Sequence, residues 1–117
     1  MPKAAFVVLT GPDTPDGRSH VVNAMEAARE FDEHGDEFQL IFDGAGTQWV
    51  RELEDENHKY HHLYAGLRDA VSVCDYCVGA YEIDDAVDDA DIERREEFDG
   101  HPSIHSLIAE GYEIVTF

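Results

Sequence analysis

The segment Ala4-Ala5-Phe6-Val7-Val8-Leu9-Thr10 is an almost unbroken apolar run closed by Gly11-Pro12. A strand covered on one face alternates apolar and polar side chains, so an unbroken run marks a strand buried on both faces, and such strands belong to parallel sheets. Parallel neighbours need a crossover, and the next stretch supplies one. Val21, Val22, Met25, Ala28 and Phe31 recur at helical spacing, which predicts a helix from about Arg18 to His34 ended by Gly35. Glu37 to Phe42 reads as the second strand, Asp43-Gly44-Ala45-Gly46 as a turn, and Thr47 as the cap of a helix carrying Trp49, Val50 and Leu53. A third helix, with Tyr60, Leu63, Tyr64 and Leu67 on one face, leads into a short strand Val71-Ser72-Val73 that delivers Cys74 at its end. The acidic stretch Asp84 to Asp99 is poorly periodic and reads as a solvated face, with a weak fourth strand near Glu96 to Phe98. Pro102 is placed to open the last helix, with Ile104, Leu107 and Ile108 behind it, Gly111 closing it and Tyr112 to Phe117 as the last strand. The alternation predicts an α/β fold, a three-layer α/β/α sandwich on a mostly parallel sheet of about five strands. Without a repeat, linker or low-complexity tail, residues 1–117 are expected to form one domain.

Charge narrows the partners. The chain carries 8 Lys+Arg against 27 Asp+Glu, a formal net charge of −19. Nucleic-acid binding requires a basic stripe, so no nucleic-acid partner is expected, and an anionic membrane surface is disfavoured for the same reason. Disorder, the other reading of such charge, is opposed by the apolar runs and by 10% aromatic residues. Surplus carboxylates beside only two lysines, Lys3 and Lys59, suit a salt-rich cytoplasm, where the screening length falls to about 3 Å at molar ionic strength. A halophilic source and a fold strengthened by salt are the corresponding expectations. No run reaches the ~18 apolar residues of a membrane span, and the N-terminus lacks a signal-peptide pattern. A cytoplasmic location follows as the expectation, with Cys74 and Cys77 in a reducing compartment.

In an open parallel sheet, ligands collect beyond the carboxyl ends of the strands. The Gly11 to Gly17 loop, the Asp43 to Gly46 turn and Cys74-Asp75-Tyr76-Cys77 fall there, and the last is the most informative. A cysteine at a strand end that opens a helix meets unpaired N–H groups and the positive end of the dipole, which stabilise a thiolate or a persulfide anion. Cys74 is therefore expected to be the exposed, activated sulfur. Cys77, one turn on, would resolve it, share its charge or merely pack. The plain alternative keeps both as small buried apolar groups. Gly11, His20, Asp43, Gly44, Asp75 and Tyr76 complete the candidate pocket, His20 being the histidine placed beside the sheet's carboxyl edge.

Two other chemistries share the spacing. A thioredoxin-like dithiol has the same C-x-x-C, but no clear candidate exists for the cis-proline loop it needs. A zinc knuckle also has it, and would need two more donors, from His58, His61 and His62 or from His101 and His105. No second C-x-x-C is present, so no metal and no other cofactor is expected. The Gly11 to Ser19 stretch fails as a phosphate loop: its glycines are one residue too far apart, Arg18 replaces the lysine, and Asp13 and Asp16 would repel a triphosphate. The acidic run likewise lacks the spacing of a calcium hand.

Leu9-Thr10-Gly11-Pro12, the alanines Ala24, Ala27 and Ala28, the second strand Phe38 to Gly44, the Val71-Ser72-Val73-Cys74 strand end and the terminal Tyr112 to Phe117 together resemble the DsrE/DsrF-like (YchN-like) family of small sulfur-relay proteins. The resemblance implies a DsrEFH-like fold. It also implies a carrier, rather than a turnover enzyme, that holds a sulfane sulfur as a persulfide on Cys74 and exchanges it with sulfur donor and acceptor proteins. Some family members carry a second cysteine three residues on, as Cys77 is here. The family further implies a homo-oligomer, with a trimer or hexamer among the choices. The competing readings are a non-catalytic small-ligand, zinc-binding or assembly protein of the same fold, and a C-x-x-C dithiol oxidoreductase.

Overall fold

Five strands run parallel in the order β4-β3-β2-β1-β5 in a computed structural model that describes residues 1–117. The apolar run forms β1 (Ala4–Val8), buried at every position because it lies between β2 (Phe38–Phe42) and β5 (Glu113–Thr116) with side chains packed on both faces. Between β1 and β2 the helix α1 (Gly17–His34) crosses over and buries Val21, Ala24, Met25 and Ala28. Gly35 ends it in the left-handed conformation at φ 72°, a geometry that costs glycine little. The chain continues through α2 (Trp49–Glu54) and α3 (His61–Ala65) to β3 (Val71–Cys74), then through α4 (Asp75–Ala80) and α5 (Asp84–Asp89) to β4 (Glu93–Arg95). It returns by α6 (Ile104–Ala109) to β5, on the far side of β1.

The topology makes the two faces unequal. Each step from β1 to β4 moves one strand in the same direction, and right-handed crossovers then place α1 to α5 on one face. Their apolar side chains meet Phe6, Val8, Leu40, Phe42, Val71 and Val73 in the main core. Fully burying Phe42 or Leu40 there contributes about 1.5–3 kcal/mol each. The return from β4 crosses the opposite face, where α6 buries Leu107 with Ala5, Val7, Ile41 and Tyr112 in a much smaller cluster. The third layer of the sandwich is one short helix. Beyond it, this face is covered by Arg95, whose Nε donates to Ser72 Oγ (2.7 Å) and whose second guanidinium nitrogen donates to Gln39 Oε1 (2.9 Å). Ser72 is fully buried beneath it.

Local expectations shift in four places. The fourth strand lies at Glu93–Arg95, not Glu96 to Phe98, because Glu93, Arg94 and Arg95 pair with Ser72, Val73 and Cys74 while Phe98 enters a separate turn. A charged edge strand has little strand propensity, and it discourages pairing with other chains. The acidic run is not merely a solvated face. Ile83, Val87 and Ile92 anchor it in the main core, and Arg94 gathers Asp75, Asp84 and Asp88 within 2.8–3.6 Å. Thr47 caps no helix: it is buried within a tight 3-10 turn at Gly44–Gln48, its hydroxyl donating to Gly44 O, while Asp43 caps the turn. The last helix begins at Ile104, capped by Ser103, whose hydroxyl accepts from the Ser106 N–H, and Pro102 precedes it in a buried position.

Candidate functional site

Adjacent strands β2, β3 and β4 end side by side, and each contributes a reactive group. Asp43 follows β2, and its carboxylate accepts the Gly44 N–H at 2.8 Å, while Gly44 turns the chain at φ 54°. Cys74 is the last residue of β3, and Cys77 lies one turn into α4. His101 arrives from the connection between β4 and α6. That connection folds back at Asp99-Gly100, both at positive φ (51° and 82°), with Phe98 and His101 exchanging backbone bonds of 3.0 and 2.8 Å. Asp-Gly with two positive φ angles is the signature of a tight hairpin turn.

The four side chains converge. Cys74 Sγ lies 3.3 Å from His101 Nδ1, and Cys77 Sγ lies 3.6 Å from Asp43 Oδ1. All four ligating atoms fall within 4.8 Å of one another. The turn that carries His101 is fastened to α4: Tyr76 N–H donates to Gly100 O at 2.8 Å, and the Tyr76 ring packs on the His101 ring at 4.9 Å between centroids. Tyr76 and Phe98 remain 62% and 69% exposed, so the turn presents an aromatic rim to solvent.

Cys74 departs from its expected state. It is fully buried beneath the Gly100 turn, and it is a free thiol, as is the half-buried Cys77. Burial pushes the Cys74 thiol up to about 12. The Cys77 N–H opposes this as the helix-terminus argument requires, but one donor does not offset desolvation, which the Asp43 charge reinforces. At neutral pH Cys74 is therefore a protonated thiol rather than an exposed thiolate. Alkylation should reveal the order: Cys77 reacts first, and the Cys74 rate rises about tenfold per pH unit until pH nears its thiol value. Peptide mass mapping of a pH series reads this, and a Cys74 rate that is flat above pH 8 would contradict it.

The remaining candidates lie elsewhere. Gly11 is buried where the loop after β1 meets the Gly44–Gln48 turn, and a Cβ there would come within 2.7 Å of Ala45 O, so its role is close packing. His20 sits at the surface of α1, with Nε2 3.2 Å from Asp16 Oδ2. Asp75 turns to Arg94 at 3.2 Å. Of the other histidines, His61 contacts Leu53 O, His58 accepts the Tyr60 N–H, and His62 and His105 are exposed, so only His101 meets the cysteines. Sequence reasoning offered His101 only beside His105 as a metal donor; the Asp99-Gly100 turn was the local signal that the chain reverses just before it.

Comparison with known proteins agrees with this architecture. The model of the DsrE/DsrF-like family matches residues 2–117. An uncharacterized protein of Methanocaldococcus jannaschii is 26% identical over 95 residues, 81% of this chain and 78% of that protein. A conserved protein of unknown function from Bacteroides thetaiotaomicron superposes with a TM-score of 0.64 at 14% identity, covering 98% of this chain and 94% of its own, a likeness of fold.

Proposed function

The chain belongs to the DsrE/DsrF-like family, and from that premise we propose that it is a sulfur carrier that holds a persulfide on Cys74 and passes it to a partner protein. The observation that carries this reading is the placement of the Cys74 sulfur at a parallel strand end, 3.3 Å from an imidazole nitrogen. A buried thiol accepts sulfur only if its proton has somewhere to go. His101 is the acceptor. In the transfer, the Cys74 sulfur attacks the outer sulfur of a donor persulfide, one S–S bond forms at Cys74 as the donor's S–S bond breaks, and the proton taken by His101 is returned to the departing donor thiolate. No oxidant is consumed.

Cys77 lies close enough to serve as the helper thiol, and its N–H supports an anion on the outer sulfur more readily than on a desolvated thiolate, because a persulfide is the stronger acid. Donor and acceptor would dock on the rim of Tyr76 and Phe98 and displace the Gly100 turn to reach the sulfur. A surface of −19 favours a basic docking face on those partners. As one domain in a reducing cytoplasm, the protein would keep both cysteines as thiols between transfers. In a homo-oligomer the thinly covered sheet face, where α6 leaves Ile104 and Ile108 exposed, would meet another copy.

Intact-mass measurement after exposure of the reduced, metal-free protein to a small-molecule persulfide donor tests the reading. The wild type is expected to gain one sulfur atom and Cys74→Ser none. No gain in the wild type, or an equal gain in Cys74→Ser, would overturn it.

A further inference from the structure

The same convergence has a second chemical meaning. Two thiols, an imidazole nitrogen and a carboxylate oxygen form a mixed donor set of the kind that borderline-soft divalent ions select, whereas magnesium and calcium seek oxygen alone. Zinc takes four such donors in a tetrahedron, with bonds of about 2.3 Å to sulfur and about 2.0–2.1 Å to nitrogen or oxygen, so a sulfur and a nitrogen or oxygen ligand stand about 3.6 Å apart. Two edges of that tetrahedron already exist: 3.3 Å from Cys74 Sγ to His101 Nδ1, and 3.6 Å from Cys77 Sγ to Asp43 Oδ1. With all four atoms within 4.8 Å of one another, closing the remaining edges asks only side-chain adjustments.

We propose that Asp43, Cys74, Cys77 and His101 bind one zinc ion, and that zinc and sulfane sulfur exclude each other at Cys74. Asp43 and Cys74 come from the ends of neighbouring strands, Cys77 from the first turn of α4, and His101 from the turn after β4 that the Tyr76 N–H fastens to α4. Outer contacts orient them: the Gly44 N–H holds the Asp43 carboxylate, and the Tyr76 ring fixes the plane of His101. Cysteine binds zinc as the thiolate, so zinc uptake at this site is coupled to proton release. The exclusion rests on the sulfur-carrier reading, since it needs Cys74 to be the sulfur's seat; the metal site does not.

The test uses the full chain, reduced and metal-free, titrated with zinc alone against a chromophoric chelator. One equivalent should bind, and cobalt(II) in its place should show sulfur-to-metal charge transfer in the near ultraviolet and intense tetrahedral bands in the red. Cys77→Ser and His101→Ala, both at partly exposed positions that leave the core filled, should each weaken zinc about 100-fold or more, above the loss typical of an outer contact; circular dichroism checks that each folds. A weakly coloured six-coordinate cobalt spectrum, or affinity unchanged in both variants, overturns the site. Sulfur uptake by intact mass in saturating zinc separates the two ideas. Uptake lost with zinc supports the exclusion; uptake undiminished overturns it. Zinc bound as described by a protein that takes up no sulfur even when metal-free leaves the metal site standing and overturns the carrier reading.

Discussion

His101→Ala is expected to slow sulfur loading of Cys74 by about 100-fold or more at neutral pH, the usual range for removing a positioned general base. The expectation follows from two observations that act together. Cys74 is buried and its thiol is pushed up to about 12, so at neutral pH a negligible fraction is thiolate. The Nδ1 of His101, 3.3 Å away, is the basic group in contact with the sulfur. Removing it leaves the proton to solvent, a poor base at neutral pH that reaches the sulfur only when the Gly100 turn opens. The pH profile separates this role from a structural one. As pH rises towards the thiol value of Cys74, hydroxide takes the proton directly and the variant should approach the wild-type rate. A variant that is slow at every pH points to collapse of the turn; one as fast as wild type at neutral pH removes His101 from the transfer. The measurement is the initial rate of mass gain on metal-free protein, with the melting curve as the check on fold.

Gly46→Ala is expected to cost about 3–5 kcal/mol, a large share of the 5–15 kcal/mol that holds a typical domain folded. A Cβ at Gly46 would overlap the Val8 carbonyl oxygen and lie 2.7 Å from its carbon. Neither atom can yield, because Val8 is fully buried in an interior strand and its carbonyl accepts the Asp43 N–H. The same turn holds Asp43, so any folded remainder should also bind zinc poorly. Gly79→Ala is the matched control. It lies within α4 with nothing within 4 Å of the added carbon and no positive φ, and it should stabilise by about 0.5–1 kcal/mol. A melting temperature for Gly46→Ala within a few degrees of wild type would show that the close approach relaxes.

Much of the fold is legible because its signals are local. Ala4–Val8 reads as a doubly buried strand, the α1 stripe as an amphipathic helix and Gly35 as its end, since each depends on residues within a turn or two of one another. The weak fourth strand was misplaced because Glu93, Arg94 and Arg95 have no apolar pattern; pairing with β3 and ion pairs to Asp75, Asp84 and Asp88 hold it there. Cys74 and Cys77 were visible as a motif, yet which was exposed was not. That depends on a turn that closes over Cys74 from 26 residues away, at Gly100.

A parallel α/β chain, a cysteine at a strand end and a strongly acidic balance of charge could be read from the sequence, because strand type, helix period and net charge are properties of short segments or of simple sums. Only the tertiary structure decided that Asp43 faces Cys77 across 34 residues and that His101 reaches Cys74 across 27. Strand order sets those meetings, and strand order is settled by crossover handedness and by the competition of whole faces for burial, not by any local pattern. It also places Cys74, expected as an exposed sulfur, as a buried thiol 3.3 Å from an imidazole nitrogen.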